Sequence, residues 1–213
     1  MNDLSIYIRT CTYRQEESKE LKAVLEENTN YKVLRIDCET QKNYSEAFVL
    51  NLAEALHSDT SKHILILEDD MLVSNRLEEL LDDIEEFELP YCWLSLPNAN
   101  PYTFAQEIGR GFHTVAYESF YYSGAIYFRK DILKDYCNDY LNNFLDFHES
   151  KFDVSVSKFM IKATGHFFFR GGFFGTNKLI ESSFKHEQNS VKVHRLDIEA
   201  EDPYFDPNET LGK

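Results

Sequence analysis

The sequence of 213 residues predicts an α/β protein: a single domain with a mostly parallel central sheet and helices on both faces. Three β-rich segments (4–8, 31–37 and 63–67) alternate with two segments of helical periodicity within the first 70 residues. Strands in such an alternation are joined by right-handed crossovers and pair in parallel. Apolar residues make up 43% of the chain, enough for one sizeable core, and no repeat or low-complexity segment marks a domain boundary.

The first half of the chain is predicted to form two strand–helix units followed by a third strand. LSIYI (4–8) is rich in β-forming residues, and apolar residues recur at helical spacing between Glu16 and Asn28. YKVLRID (31–37) is the second strand, and Ser45 is a suitable N-cap for the next helix. That helix has apolar residues at helical spacing: Phe48, Val49, Leu52, Ala53 and Leu56. HILIL (63–67) completes the alternation.

The middle of the chain predicts one amphipathic helix, two strands and a long loop. Residues 75–89 form the helix, and we interpret its acidic face as solvated surface. YCWLSL (91–96) and FYYSGAIYFR (120–129) are strand-like. Residues 97–114 contain two prolines and two glycines and predict a loop; loops this long in compact domains are usually functional.

Two helices and a strand are predicted towards the C-terminus. One helix begins at Asp131, and another runs from Asp153 to Thr164, with Gly165 as a left-handed terminating residue. HFFFR (166–170) is the strand. The glycine-rich segment RGGFFGTN (170–177) is either a lid that closes over a ligand or an ordinary tight turn.

Charge is distributed unevenly along the sequence. The net charge of −15 argues against a nucleic-acid-binding protein, which would favour a basic surface. Residues 158–195, however, contain seven basic and two acidic residues and so carry a charge of +5. An acidic body with one basic, aromatic segment predicts an anionic ligand at one place.

The sequence predicts neither a membrane-spanning nor a secreted protein. No apolar run approaches the roughly 18 to 20 residues of a membrane span. Asp3, Arg9 and Arg14 interrupt the region where a signal peptide would need apolar residues. The four cysteines lie far apart and form no C-x-x-C pair: Cys11, Cys38, Cys92 and Cys137. We expect buried, reduced thiols and a cytoplasmic location, the host cytoplasm if the protein is viral.

The most informative segment is HILILEDDMLVS (63–74), in which a predicted strand ends in three consecutive carboxylates. Burying adjacent carboxylates is costly unless a cation or hydrogen-bond donors compensate them. In open α/β sheets, ligands bind at the carboxyl ends of strands. Because side chains alternate along a strand, Glu68 and Asp70 are expected on one side and Asp69 on the other. The segment therefore predicts a Mg²⁺ or Mn²⁺ ion that in turn binds a diphosphate.

Acidic residues at a strand end also occur in two other classes of protein. A P-loop ATPase would need G-x-x-x-x-G-K-[ST], which the chain lacks. A phosphoacceptor receiver domain would need its acid pair on the first strand, where this chain has Arg9 and Thr10. A purely structural acidic cap stays open as an alternative.

With this motif after two strand–helix units, the chain resembles the GT-A fold nucleotide-sugar glycosyltransferases. Their D-x-D motif has an E-D-D variant, known from certain N-acetylglucosaminyltransferases, that is similar to Glu68-Asp69-Asp70. The resemblance covers residues 4–75 and is looser up to about residue 190. It implies a single Rossmann-like GT-A domain with three parts: a nucleotide-sugar-binding half (1–96), an acceptor-binding half (97–195) and a polar tail (196–213).

The resemblance implies roles for individual residues. Asp70 would be the direct metal ligand, and a late histidine, His186 or as second choice His194, would be another; a surface histidine is the alternative. Lys185 and Arg170 would neutralise phosphate charge, and Gly124 would let the donor approach the backbone. The full set of residues expected to contact the donor is Arg9, Thr10, Arg14, Asp37, Glu68, Asp69, Gly124, Arg170 and Lys185.

In the family, a carboxylate near the start of a later helix often serves as general base. Asp153 is the first candidate here and Glu149 the second. Such a base would deprotonate the acceptor hydroxyl while the metal stabilises the departing diphosphate. The structural alternative for Asp153 is a helix N-cap.

The resemblance leaves the acceptor open. A glycan or related hydroxyl is one expectation, and the other is a hydroxymethylated pyrimidine in DNA, as in phage DNA glycosyltransferases. The +5 segment and the aromatic residues of FFFRGGFF, available for stacking on a flipped base, favour DNA, whereas the net charge of −15 opposes it. A third hypothesis is a noncatalytic protein that binds nucleotide sugars or glycans. The sequence predicts no oligomeric state.

Overall fold

A computed structural model describes seven stretches of the chain: residues 3–11, 14–37, 44–95, 105–115, 124–143, 152–176 and 204–212. The helices are α1 (Gln15–Asn28), α2 (Tyr44–Ser58), α3 (Leu77–Glu86), α4 (Lys130–Asn142) and α5 (Phe152–Thr164). The strands are β1 (Leu4–Thr10), β2 (Lys32–Asp37), β3 (His63–Glu68), β4 (Met71–Val73), β5 (Tyr91–Trp93), β6 (Gln106–Gly109), β7 (Phe112–Val115), β8 (Ala125–Arg129), β9 (Phe167–Phe169) and β10 (Phe174–Thr176).

Within the described stretches, eight strands form one central sheet in the order β2-β1-β3-β8-β5-β9-β7-β6. β1 pairs in parallel with β2 and β3, and β5 pairs in parallel with β9. β8 runs antiparallel to both of its neighbours, and so does β7. Six strands therefore point one way and two the other, which confirms the predicted α/β fold with a mostly parallel sheet.

Helices cover both faces of the sheet, as predicted. The face that holds Tyr7, Ile64 and Ile66 packs against α2, α4 and α5. The opposite face, with Leu65 and Leu67, packs against α1 and α3. Successive residues of one strand contribute to opposite cores because side chains alternate along a strand. The result is one domain with two apolar layers.

The prediction of a loop over residues 97–114 is wrong for the second part of that range, which forms a β-hairpin. β6 and β7 pair antiparallel, and their turn contains three consecutive positive φ angles, at Gly109, Arg110 and Gly111. The hairpin escaped prediction because Gln106 and Glu107 are exposed, so that β6 has no alternating apolar pattern. Part of a predicted functional loop is thus an edge of the sheet.

Two short strands were not predicted from the sequence. β4 follows Asp70 directly and pairs antiparallel with β10, with Thr176 opposite Met71. β10 belongs to the segment considered as a lid or a turn. Phe173 and Phe174 are buried there, so this part of the segment packs in the core in this conformation.

The C-terminal residues 204–212 pack against β4. Thr210 forms a bridge with Ser74, and the backbone amide of Leu211 donates to the Val73 carbonyl at 2.8 Å. This part of the predicted polar tail is consequently tied to the strand that follows the three carboxylates.

Cys11, Cys92 and Cys137 are buried free thiols, as expected, and Cys38 lies outside the described residues. Burial raises the pKa of the Cys92 and Cys137 thiols, to about 12 for Cys137, and so keeps them protonated. In the part of the chain that the structure describes, no helix has both the length and the apolar character to cross a membrane.

Candidate functional site

Polar residues gather where the parallel strands end. Register places Arg9 of β1 opposite Glu68 of β3, and Thr10 opposite Asp37 at the end of β2. Asp69 and Asp70 follow β3 in the turn before β4. The ends of five strands that share one direction (β1, β2, β3, β5 and β9) meet at this edge, which is where open α/β sheets bind ligands.

Two arginines pair with the three carboxylates, and we call these five residues the acidic edge cluster (Arg9, Arg14, Glu68, Asp69 and Asp70). Arg9 forms an ion pair with Glu68. A single nitrogen of Arg14, Nη1, lies 2.7 Å from Asp69 Oδ1 and 2.8 Å from Asp70 Oδ2. The cluster thus brings three carboxylates and two guanidinium groups together.

The pairing corrects the expectation that Glu68 and Asp70 share one side. β3 ends at Glu68, so the alternation of a strand does not extend to Asp69 and Asp70, which lie in a turn. There both carboxylates bind the same arginine. The arginines expected against the nucleotide lie against the acids; whether they also contact a donor stays a prediction.

Arg9 also connects the cluster to the helices of one face. Its guanidinium carbon lies 5.5 Å from the ring centre of Phe48 on α2 and 5.2 Å from that of Phe152 on α5. The two rings pack edge to face at 4.7 Å. Cation–π contacts of this kind hold a guanidinium in a fixed orientation.

Asp70 is the carboxylate of the cluster with a buried oxygen that lacks a partner among the described residues. That oxygen is Oδ1. Burial, followed by repulsion from Glu68, raises the pKa of Asp70, and the hydrogen bond from Arg14 offsets this only in part. Burial likewise raises the pKa of Asp69 against the hydrogen bond from Arg14. Nearly all buried polar groups in proteins are hydrogen-bonded, so an orphaned carboxylate oxygen indicates a place for a cation or a donor.

The cluster fits a divalent cation through one protein oxygen. Mg²⁺ is often held by one or two carboxylates, with water and substrate phosphates as its other ligands. Asp70 Oδ1 meets that requirement. Within the described stretches, no group of three or more histidine, cysteine or carboxylate side chains converges on a complete metal site.

The backbone beside the cluster is closely packed. The Glu68 amide donates to the carbonyl of Gly124 at 2.8 Å, just before β8. Next to it, the buried Ser95 hydroxyl accepts a hydrogen bond from the Ala125 amide at 2.7 Å. Gly124 therefore adjoins the cluster, and its role in letting a ligand approach the backbone stays a prediction. Ser95 escaped notice because one serine at a strand end has no sequence signal.

Thr10 and Asp37 differ in accessibility. Thr10 is buried, and its hydroxyl donates to the Arg14 carbonyl at 3.2 Å, so it stabilises the turn that leads into α1. Asp37 is exposed; it accepts a hydrogen bond from Gln15 at 3.1 Å and lies 3.7 Å from Arg35. Of the two side chains, only that of Asp37 is accessible to a ligand in this conformation.

Arg170 follows β9 at the same edge but is engaged elsewhere. Its Nη1 lies 2.5 Å from Asp83 Oδ2 on α3, and its guanidinium carbon lies 4.7 Å from the ring centres of both Phe112 and Phe173. A phosphate role for Arg170 stays a prediction that would require this buried ion pair to open.

The base candidates are only partly visible. Asp153 is the second residue of α5, inside the first turn and next to Phe152, which packs against Arg9. Its backbone thus adjoins the edge, whereas its side chain is outside what the structure describes. Glu149, Lys185, His186 and His194 also lie outside the described residues, and their roles stay predictions.

The aromatic residues expected to stack on a DNA base are largely buried. Phe167, Phe169, Phe173 and Phe174 are each less than 5% exposed and pack in the two cores. Of the aromatics in FFFRGGFF, Phe168 alone is partly exposed. The expectation that this segment offers a stacking surface is therefore wrong, because its apolar side chains are needed inside the sheet.

Comparisons with known proteins identify no family. No family model matches the chain, and no curated protein matches it significantly. Among solved structures, it is similar to a glycosyltransferase involved in the glycosylation of the major capsid of PBCV-1, with 14% identity over 70% of this chain and 72% of that one, at a TM-score of 0.46. The S. aureus TarS fragment 1-349 has 12% identity over 79% of this chain, at a TM-score of 0.48, and its complex with UDP-GlcNAc has 15% over 64%, at 0.43.

This chain spans 57% of the TarS fragment and 47% of the fragment in its UDP-GlcNAc complex. Because these TM-scores lie below 0.5 and these identities below 25%, the likenesses carry no argument about activity. The function has to be inferred from the site.

Proposed function

We propose that the protein is a metal-dependent glycosyltransferase, which moves a sugar from a nucleoside-diphosphate sugar, in the first instance a UDP-sugar, to a hydroxyl of a glycan or related acceptor. The observation that carries the proposal is the buried, unpartnered Oδ1 of Asp70. It lies in a cluster of three carboxylates at the ligand-binding edge of the sheet. A purely structural cap would be expected to satisfy both oxygens of each buried carboxylate.

The residues divide the chemistry between them. Asp70, with His186 as the predicted second ligand, would hold Mn²⁺ or Mg²⁺, which supplies charge stabilisation for the departing diphosphate. Asp37 is accessible to the nucleoside at the end of β2. Gly124 has no side chain to exclude a sugar from the backbone next to Glu68. Asp153, at the start of α5, would take the proton of the acceptor hydroxyl.

A glycan-type acceptor is favoured over DNA. The burial of the aromatic segment removes one feature that supported DNA binding, and the ion pair with Asp83 compensates Arg170, one of the seven basic residues of the +5 segment. The net charge of −15 opposes attraction to phosphates. Retention on hydroxymethylated DNA that falls steeply with salt would reverse this preference.

The decisive experiment measures release of nucleoside diphosphate by the full chain with Mn²⁺ and a panel of nucleotide sugars, UDP-linked ones first, with and without candidate acceptors. We expect metal-dependent release that Asp70→Asn abolishes. Asp153→Asn should lose transfer but retain Mn²⁺ binding.

Asp131→Asn is the matched control, because Asp131 is exposed and pairs with Arg129 at 2.7 Å, away from the cluster. Donor binding without any release would indicate the noncatalytic alternative. Release that persists in Asp70→Asn would refute the proposal.

A further inference from the structure

Arg14 occupies an unusual place for a residue expected to contact a nucleotide. It is only 6% exposed, and its one nitrogen Nη1 bridges Asp69 and Asp70 at 2.7 and 2.8 Å. The bridge uses Oδ2 of Asp70 and leaves Oδ1 without a partner among the described residues. An arginine that simply neutralised Asp70 would be expected to bind both oxygens in its bidentate geometry.

The backbone around Arg14 is also fixed. The Arg14 amide donates to the Cys11 carbonyl at 3.0 Å, and the Arg14 carbonyl accepts from the buried Thr10 hydroxyl at 3.2 Å. These bonds anchor the arginine at the start of α1. The fixed backbone gives the buried side chain a defined origin from which its guanidinium reaches both carboxylates.

From this geometry we infer that Arg14 is a positioning residue: it holds Asp69 and Asp70 together so that Asp70 presents Oδ1 to a divalent cation. The inference deepens the proposed function and rests on it, since it concerns the same cation. Groups that orient a metal ligand are worth about 10- to 100-fold in metal affinity. The positive charge of Arg14 acts in the opposite direction on metal affinity, because it repels the cation.

These two effects predict opposite outcomes, so Mn²⁺ affinity distinguishes them. The measurement is titration of the full-length variants with Mn²⁺ alone, with free Mn²⁺ followed by electron paramagnetic resonance. If Arg14 positions Asp70, Arg14→Met should weaken Mn²⁺ binding by at least about tenfold. Tighter or unchanged binding by folded Arg14→Met would overturn the inference.

Arg14→Lys separates position from charge. It retains the positive charge, but its shorter side chain is not expected to bridge both carboxylates, so it should also bind Mn²⁺ more weakly than the wild type, though less so than Arg14→Met. This variant also keeps the test available if Arg14→Met fails to fold. Wild-type affinity in Arg14→Lys would overturn the inference.

Arg76→Met is the matched control, because Arg76 makes a two-bond pair with Glu79, at 2.9 and 2.7 Å, on the exposed side of α3. It should bind Mn²⁺ as the wild type does.

Mn²⁺ binding that depends on Arg14 without any sugar transfer would support the inference and count against the proposed enzyme. Sugar transfer that persists in folded Arg14→Met, with unaltered Mn²⁺ affinity, would overturn the inference and support the proposed enzyme. A wild type that binds no Mn²⁺ would overturn both.

Discussion

Two groups of carboxylates and arginines in this protein each contain buried members but differ in how completely their aspartates are hydrogen-bonded. On α3, Asp83 receives Arg110 at Oδ1 and Arg170 at Oδ2, each at 2.5 Å. Arg110 also contacts Glu86, so that two arginines meet two carboxylates. We call these four residues the α3 ion-pair network. In the acidic edge cluster, two arginines meet three carboxylates.

The pKa values of Asp83 and Asp70 differ in the direction that their hydrogen bonding predicts. Burial acts to raise the pKa of Asp83, but the hydrogen bonds from Arg170 and Arg110 outweigh it, and the pKa is lowered. For Asp70, burial and Glu68 prevail over Arg14, and the pKa is raised. A satisfied aspartate stabilises the fold, whereas an aspartate with an orphaned oxygen is suited to bind something else. The comparison therefore separates a structural cluster from a candidate site.

The largest expected contrast comes from replacing each aspartate by asparagine. Asp70→Asn should lower Mn²⁺ affinity and diphosphate release by at least about 100-fold, because it removes the ionised ligand. Asp83→Asn should instead lower the free energy of unfolding by about 3 kcal/mol, because it leaves the buried Arg170 without its counter-charge. Mn²⁺ titration and urea unfolding of both variants measure the two effects. A large loss of stability in Asp70→Asn with normal Mn²⁺ binding would mean that Asp70 is a structural residue and not a metal ligand.

The next contrast lies within the α3 ion-pair network. Arg170→Met should lower the free energy of unfolding by about 2 kcal/mol, since a buried pair is broken and Asp83 keeps only Arg110. Arg110 is half exposed, so Arg110→Met should cost less than about 1 kcal/mol. Urea unfolding gives both values. Donor affinity should be unchanged in Arg110→Met, and a loss of donor affinity confined to folded Arg170→Met would support Arg170 as a phosphate ligand.

A smaller effect is expected where the C-terminal segment meets β10. A methyl group on Gly175 would lie 2.4 Å from the Phe205 ring, too close for unshifted side chains. Gly175→Ala should therefore lower the free energy of unfolding by about 1 to 2 kcal/mol, measured by urea unfolding. In a Phe205→Ala background, Gly175→Ala should lower the free energy of unfolding by much less. An equal cost in both backgrounds would mean that the ring contact is not the cause.

The smallest effect concerns Asp59, a buried aspartate whose two oxygens are both satisfied. It accepts hydrogen bonds from the Tyr7 hydroxyl at 2.7 Å and the Ser61 amide at 2.8 Å. Burial would raise the pKa of Asp59, but these bonds outweigh it and lower the pKa below its ordinary value of 3.8. The stability that Asp59 provides is therefore present above about pH 4 and is lost as the pH falls through the depressed value.

Tyr7→Phe should lower the free energy of unfolding by about 1 kcal/mol at pH 7. The difference from the wild type should shrink on acidification, because the bond stabilises the ionised carboxylate. Urea unfolding at pH 7 and in strong acid, below the depressed pKa of Asp59, checks this. A difference that grows in strong acid would contradict the linkage.

Local pattern was enough to predict much of the fold. The alternation of apolar strands and helices up to Glu68 predicted the parallel β1–β2–β3 core, because a buried parallel strand needs a continuous apolar run. The continuous apolar run of β3 also located the E-D-D segment at the end of a strand. The β6–β7 hairpin and the short strands β4 and β10 were missed, since strands of three or four residues have no measurable period. β5 and β9 are equally short but were predicted because each lies in an apolar, aromatic run.

What the sequence by itself determined was the α/β architecture and the position of three carboxylates at the end of β3. It also indicated that those charges need compensation. The tertiary structure decided which groups compensate them, because Arg9 and Arg14 reach the acids only when β1 lies beside β3. It also decided that Asp70 Oδ1, in contrast to the oxygens of Asp83, keeps no partner among the described residues. The physical reason is that a pairing between residues 55 or more positions apart depends on strand register and turn geometry, which no local pattern encodes.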